Sequence, residues 1–552
     1  MNLEKVREKY LQNITKNERM KAKTEVINRL EDIASYYSFG RILGYIKLFE
    51  SNQPREQLVR NLLPNSERLI NSEISFLAGL WIYNVNLTKN WDIKDDTKYL
   101  REVYQLMNDL HLFYKPDKNT PLNSQLKEIA FYEGDEGYAW QFVEFAKHKY
   151  SDNRFANYLL NEHNFDIQHI ESTFHKIDKV LSEQIRRRIQ IKQKQKEYIS
   201  PINAYTITPK NLRKYFTEKE QNIIHSLSIE LGKQLPNPIK DIADRNIFLQ
   251  YPIIELPSER GYFIIEPLTL SISMNETPFY WIVESDTFNK GILGSVRGKL
   301  AENIVSNIIN KKFSNNSIYK NIIIKKTKSA NSITDIDILL IHEKTSIVFQ
   351  IKSKRLTELS KQGDWDSINN DFNDAVANAY RQGILSINSL KDYKNFYSLR
   401  NKGFNFDDNT KFFNICITLD QYPTISSISL FKSSEIEVND MPLLAMSIYD
   451  LDIIFNLMSK EEIIDYVCFR SELAKLKIYG ISEVYYLGAY IHDKIYGGIY
   501  LQKESKIARE YAILIDYIVD LCRNKKHKIN SIEDIRFLLY KYPPSKTPIT
   551  CI

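Results

Sequence analysis

The stretch Thr334–Arg355, TDIDILLIHEKTSIVFQIKSKR, leaves little choice of local structure. Two runs rich in Ile, Val, Leu and Phe stand back to back around Glu343–Lys344 and read as a hairpin of buried strands. Three side chains interrupt the apolar pattern: Asp337, Gln350 and Lys352. A strand core avoids ionisable groups unless they are paired or used, so the hairpin raises the question of what these three are for.

Residues two apart on a strand share a face. Val348, Gln350 and Lys352 therefore point one way, and Ile347, Phe349 and Ile351 the other; on the preceding strand Asp337, Leu339 and Ile341 share a face. With the turn centred on Glu343–Lys344, 342 pairs with 345, 339 with 348 and 337 with 350. Glu-Lys is not a preferred tight-turn pair, which leaves a longer loop open, and any loop keeping this pairing preserves the arrangement. Asp337 then lies across from Gln350, with Cβ atoms about 4.5–5.5 Å apart, close enough to share one metal ion. Asp337 is a hard anionic ligand suited to Mg²⁺, Gln350 offers a neutral carbonyl oxygen, and the Ile351 backbone carbonyl lies within reach. Magnesium favours oxygen ligands and retains water. Lys352 is placed to orient or deprotonate such a water and to stabilise charge developing on a phosphate.

The surroundings extend the pattern. GILGSVRGKLAENIVSNIINKKF reads as a helix whose apolar stripe is Leu300, Ala301, Ile304, Val305, Ile308 and Ile309. Glu302 sits at the edge of that stripe, from where a carboxylate can reach over the sheet edge. YKNIIIKKT reads as a strand, DWDSINNDFNDAVANAYRQGIL as a second helix, and KFFNICITLD as another strand. The order is helix, strand, strand, strand, helix, strand.

Glu302, Asp337 and Gln350-x-Lys352, in that order on helix, strand and strand, resemble the PD-(D/E)xK phosphodiesterase superfamily. The Gln in place of the usual acid is similar to its Mrr-like restriction endonuclease branch with a QxK motif. Residue by residue, Asp337 matches the motif Asp, Gln350 the (D/E) position, Lys352 the Lys and Glu302 the helix acid. Asp335 occupies an accessory acidic position, and Tyr380 and Gln382 match, loosely, a helix that follows the motif in related nucleases. The resemblance covers residues 286–440. It implies a restriction-endonuclease-like mixed sheet flanked by helices, Mg²⁺ as cofactor with Mn²⁺ as substitute, and cleavage of DNA. Gln350 departs from the pattern by removing a negative charge from the metal site.

A chain of 552 residues is too long for one hydrophobic core. The reading is a multidomain α+β and α/β protein: a helical region with a basic linker at 1–198, a small α+β adaptor at 199–285, the nuclease-like core at 286–440 and a helical C-terminal region at 441–552. In the adaptor, NIFLQYPIIEL and GYFIIEPLTLSI are read as strands. FYEGDEGYAWQF is dense in aromatics (Phe131, Tyr132, Tyr138, Trp140 and Phe142), which suits a helix-packing core better than base stacking. The run EQIRRRIQIKQKQKEY carries Arg186, Arg187, Arg188 and Lys192, a candidate phosphate track or else a solvated helix face. Lys354 and Arg355 are open to the same two readings.

Net charge of +6 permits nucleic-acid binding without demonstrating it. Four widely spaced cysteines form no CxxC pair, which argues against a zinc knuckle and suits a reducing compartment. The charged start MNLEKVREKYLQN lacks a secretory signal's apolar segment, and no apolar run is long enough to span a bilayer. The expectation is a soluble cytoplasmic protein. There is no GxxxxGK[ST] loop and no GxSxG elbow.

The sequence therefore points to a Mg²⁺-dependent DNA endonuclease of the restriction or anti-phage defence kind. Two other readings stand beside it: a catalytically silent nucleic-acid-binding or scaffold protein that keeps the fold, and an RNA nuclease. DNA is the partner implied, a second protein subunit or homo-oligomer is left open, and no membrane partner is expected. At the level of the cluster, the competing reading is a hairpin with solvent-facing polar residues, against which the Ile-rich flanks argue.

Overall fold

The computed structural model describes residues 16–51, 69–114, 137–194 and 200–543, apart from short internal stretches at 237, 243, 258–259, 362–363, 393–395, 398–405, 407–408, 423–424, 426–440, 498–504 and 506. The chain divides into two compact units, Met1–Leu293 and Gly294–Ile552. It is mostly helical, with two mixed sheets. Among the described residues no helix is long and apolar enough to cross a membrane.

The first unit opens with helices α1 (Lys16–Ala34), α2 (Phe39–Ser51), α3 (Asn71–Asn84), α4 (Asp96–Tyr114), α5 (Ala139–Lys149), α6 (Asn153–His163) and α7 (Ile170–Lys194). There follow β1 (Thr206–Ile207), α8 (Pro209–Tyr215), α9 (Glu218–Ser226), β2 (Ser228–Glu230), α10 (Ile247–Gln250), β3 (Ile253–Leu256), β4 (Gly261–Phe263) and α11 (Pro267–Glu284). The four strands form one sheet in the order β1-β4-β3-β2, with β2 parallel to β3 and the other pairs antiparallel. Helices and sheet share a core: Leu30, Ile42, Leu77 and Trp81 pack in one cluster with Ile254 and Phe263.

Two segments of this unit differ from the strand pattern read from the sequence. Ile247–Gln250 is a short helix capped by Asn246, whose side chain accepts from Phe248 N–H. PLTLSI opens the 18-residue helix α11. Pro267 takes the first turn, where its missing N–H costs nothing, and the Glu266 side chain accepts from Leu268 N–H. Of the aromatic-dense stretch, Phe142 is buried on α5 and Tyr138 stacks with Trp140; Phe131 and Tyr132 lie outside the described residues.

The second unit is built on α12 (Lys290–Asn310), which starts at the end of the first, β5 (Ile318–Lys325), β6 (Ser332–His342), β7 (Thr345–Lys352), α13 (Glu358–Lys361), α14 (Trp365–Phe372), α15 (Asn378–Lys391), β8 (Phe396–Tyr397), β9 (Lys411–Thr418) and β10 (Leu444–Ser447). The strands make a mixed sheet in the order β10-β9-β7-β6-β5-β8. The β5, β6 and β7 meander is antiparallel, whereas β9 runs parallel to β7 and β10 parallel to β9. On one face Leu339 and Val348 pack with Ile387 and Leu390 of α15. On the other, Ile347, Phe349, Ile415 and Ile417 are buried as well. Burial on both faces explains why β7 reads as an almost unbroken apolar run. The chain continues in α16 (Ile448–Leu457), α17 (Lys460–Lys475), α18 (Glu483–Tyr496), α19 (Arg509–Lys525) and α20 (Ile532–Lys541).

DWDSINNDFNDAVANAYRQGIL is not one regular helix. α14 passes through a widened π-type turn at Asn373–Ala377 into α15. Gly383 lets α15 lie against β9: a Cβ there would sit 2.0 Å from Asn414 Oδ1. Asn414 Nδ2 in turn donates to Tyr380 O at 2.9 Å. This close approach carries the side chain of Gln382 to the end of the sheet.

Candidate active site

The β6–β7 hairpin closes at Glu343–Lys344, with His342 paired to Thr345, Leu339 to Val348 and Ile338 to Phe349. The turn is tight, although Glu343 must adopt a left-handed conformation (φ 52°). Two long buried strands hold it there against a cost of roughly 1–2 kcal/mol. One pair beyond Ile338 and Phe349, a side chain makes the link. Asp337 Oδ2 accepts from Ile351 N–H at 2.6 Å.

Gln350 is fully buried. Its Nε2 donates to Asp335 O at 3.0 Å, while its Oε1 is buried with no hydrogen-bond partner. A buried amide oxygen left without a partner costs about 1–3 kcal/mol, so this atom calls for a ligand. Lys352 Nζ donates to Gln382 Oε1 at 2.9 Å, and Gln382 Nε2 donates to Asp335 Oδ1 at 2.7 Å. Gln382 thus ties the lysine to the accessory acid.

Glu302 of α12 completes the group. Burial and then the Asp337 charge push its carboxyl above the usual range, while a hydrogen bond with Asn321 and the charge of Lys320 pull it down. Asn321 lies between the β5–β6 pairs Lys320–Ile338 and Ile322–Ile336, in a left-handed conformation (φ 51°). The Asp337 carboxyl is also raised, by burial above all and by Asp335, against the Ile351 N–H and the Lys352 charge. The nearby Cys416 thiol is pushed up to about 12 by burial and stays neutral.

A second layer fixes the exit of β7. Leu419 N–H donates to Lys352 O at 2.9 Å. Arg297 Nη2 donates to Ser353 O at 2.8 Å and to Asp420 Oδ2 at 2.5 Å, and Tyr422 OH donates to Lys354 O at 3.0 Å. Three successive carbonyls from Lys352 onward are therefore held. The sequence reading missed Arg297, Asp420 and Tyr422, because Arg297 and Asp420 stand 123 positions apart with no motif to join them.

The cations chosen from the sequence are placed differently. Lys354 pairs with Asp374 at 2.7 Å and Asp371 at 3.3 Å, and Arg355, partly buried, stands 4.0 Å from Asp420. Arg186, Arg187 and Arg188 belong to α7 of the first unit. Arg186 is exposed, Arg187 stands 3.9 Å from Glu183, and Arg188 donates to Ser200 O. Lys192 falls on the last turns of α7, where side chains lie outside the described residues.

Whether these residues suit a divalent ion turns on the donor set. Among the described residues no group of three or more His, Cys, Asp or Glu side chains is arranged to hold a metal. Magnesium does not require such a cage; one or two carboxylates and several waters suffice. The Asp337 carboxylate, bonded to the backbone N–H that follows Gln350, and the orphaned Gln350 Oε1 are oxygens of that kind, with Glu302 within electrostatic reach.

The segment that carries this geometry is similar to a PD-(D/E)xK-like nuclease domain. Residues 297–406 match the family model of the nuclease-related domain, NERD, and the match contains Glu302, Asp337, Gln350, Lys352 and Gln382. No curated protein and no solved structure matches the chain.

Proposed function

We propose that the chain is a Mg²⁺-dependent endonuclease cutting DNA phosphodiester bonds, of the Mrr-like type with a QxK motif, acting in restriction or anti-phage defence. The orphaned Gln350 Oε1, on the residue before the N–H that Asp337 accepts, is the observation that carries this reading. Asp337, Gln350, the Ile351 carbonyl and Glu302 would hold the ion, and Mn²⁺ would substitute for it. When bound, the ion supplies charge stabilisation at the phosphate and lowers the pKa of water. Lys352, held by Gln382, orients the attacking water and offers its ammonium to the developing phosphate charge. Asp335 fixes both partners, accepting from Gln382 through its carboxylate and from Gln350 through its carbonyl. The helical remainder of the chain suits target or partner recognition.

One observation favours a silent nucleic-acid-binding protein instead: Gln350 leaves the site one negative charge short, and Asp337 spends one oxygen on a backbone N–H. Incubation of the purified chain with plasmid DNA and with RNA, each with Mg²⁺, Mn²⁺ or chelator, separates the readings. Metal-dependent nicking of DNA supports the first; no cleavage under any condition refutes it.

A further inference from the structure

Lys354 and Arg355 face acids, so the phosphates of a substrate need other cations. β5 and its hairpin loop to β6 carry Lys320, Lys325, Lys326 and Lys328, none of which has an ion-pair partner among the described residues. Lys320, Lys326 and Lys328 are exposed and Lys325 half-buried. Ile323, paired with Asp335 across β5–β6, is 49 % exposed, so the strand presents an open face here even though β8 pairs along its edge at Ile324 and Lys325. The row adjoins the site at two points: Lys320 acts on the Glu302 carboxyl, and Asp335 is bonded to Gln382.

We propose that the β5–β6 hairpin is a phosphate-binding arm that lays a nucleic-acid backbone along β5 and delivers it to Asp337 and Lys352. This rests on the nuclease reading and deepens it by giving the substrate a track. From Lys320 to Lys325 the strand advances about 17 Å at ~3.3 Å per residue. That span matches about five phosphates of one duplex strand at ~3.4 Å of helix axis each. Lysines act as point charges without base-edge geometry, so the arm sets affinity and position rather than sequence choice. It requires no movement of Lys354 or Arg355 from their acids.

The test is the full chain with Lys320, Lys325, Lys326 and Lys328 all changed to Gln, binding a short fluorescent DNA duplex in chelator between about 50 and 200 mM salt. Each lost contact should flatten the log–log salt slope by about 0.9, so the four together by about 3.6. Over that salt range the parent then loses about 10²-fold more affinity than the variant. Lys354→Gln, whose partner is Asp374, should keep the parental slope. An unaltered slope in the fourfold variant, or no binding of the parent to any nucleic acid, overturns the arm. The same duplex as RNA identifies the source of the backbone: tighter RNA binding with the same lysine dependence keeps the arm and contradicts DNA as its substrate. Circular dichroism checks that the variant folds. Because binding is read without metal, failure to cleave would defeat the nuclease reading while leaving this result to stand or fall by itself.

Discussion

Replacing Arg297 by Met should damage the site from behind. Arg297 and Asp420 are 8 % and 7 % exposed, and the guanidinium serves both the Asp420 carboxylate and the Ser353 carbonyl. Removing one partner of a buried pair leaves the other charge uncompensated, at about 3–5 kcal/mol. Arg355, 4.0 Å from Asp420, remains to soften this, so the expected loss is about 3 kcal/mol. Part of it is the Ser353 carbonyl left without its donor, about 1–3 kcal/mol. Replacing both members, Arg297→Met with Asp420→Leu, should recover part of the stability, because the stranded carboxylate is gone although Arg355 loses its acid as well. It should not recover function: Ser353, next to Lys352, is still unheld. Urea unfolding of the single and double variants gives the stability cycle. Single-turnover cleavage at saturating DNA should fall at least tenfold in both, with DNA affinity unchanged. A single variant losing less than about 1 kcal/mol, or a double variant that cleaves normally, would refute the reasoning.

Gln350→Leu should abolish Mg²⁺ binding measured by calorimetry while leaving the fold intact; Gln350→Glu should keep metal-dependent cleavage and bind the ion more tightly, because a charge is added beside Asp337. Glu302→Gln should slow cleavage less than Asp337→Ala does, since Glu302 stands on α12 at the margin of the group; equal losses would make it a principal ligand. In the first unit Glu73, 1 % exposed, has its carboxyl pushed up to about 8 by burial. The unfolded chain releases that proton above about pH 4.5 and the folded chain only near 8, so stability is full below 4.5 and declines through this window, by about 4–5 kcal/mol in all. Glu73→Gln, which keeps an acceptor for the Ile70 N–H, should flatten the decline; thermal melts from pH 5 to 8 that run parallel for both forms would show that Glu73 is not the titrating group.

The parts legible in the sequence are those where local pattern and long-range packing agree. The apolar runs on either side and the pairing sum around Glu343–Lys344 give the observed hairpin register, because a one-residue slip would carry the polar Gln350 and Lys352 to the opposite face of the sheet. PLTLSI reads as a strand by its β-branched content, yet Pro267 and the Glu266 cap commit it to α11. Gln382 is visible only as a loose match. Its bond to Lys352 depends on Gly383 admitting α15 against β9, a contact that no local pattern encodes. Charge alone leaves two readings open at Lys354 and Arg355, because the acids that stand near them, Asp371, Asp374 and Asp420, come from later segments. YKNIIIKKT reads as a strand, and no local pattern tells that its lysines have no ion-pair partner among the described residues.

The central claim is that Asp337, Gln350 and Lys352 form a metal-dependent phosphodiesterase site. Its most direct test is conversion of supercoiled plasmid by the parent and by Asp337→Ala, with Mg²⁺ and with chelator. The account predicts nicked and linear products with the parent only when metal is present, and none with a folded Asp337→Ala variant. Equal cleavage by both proteins, or cleavage indifferent to chelator, would contradict it.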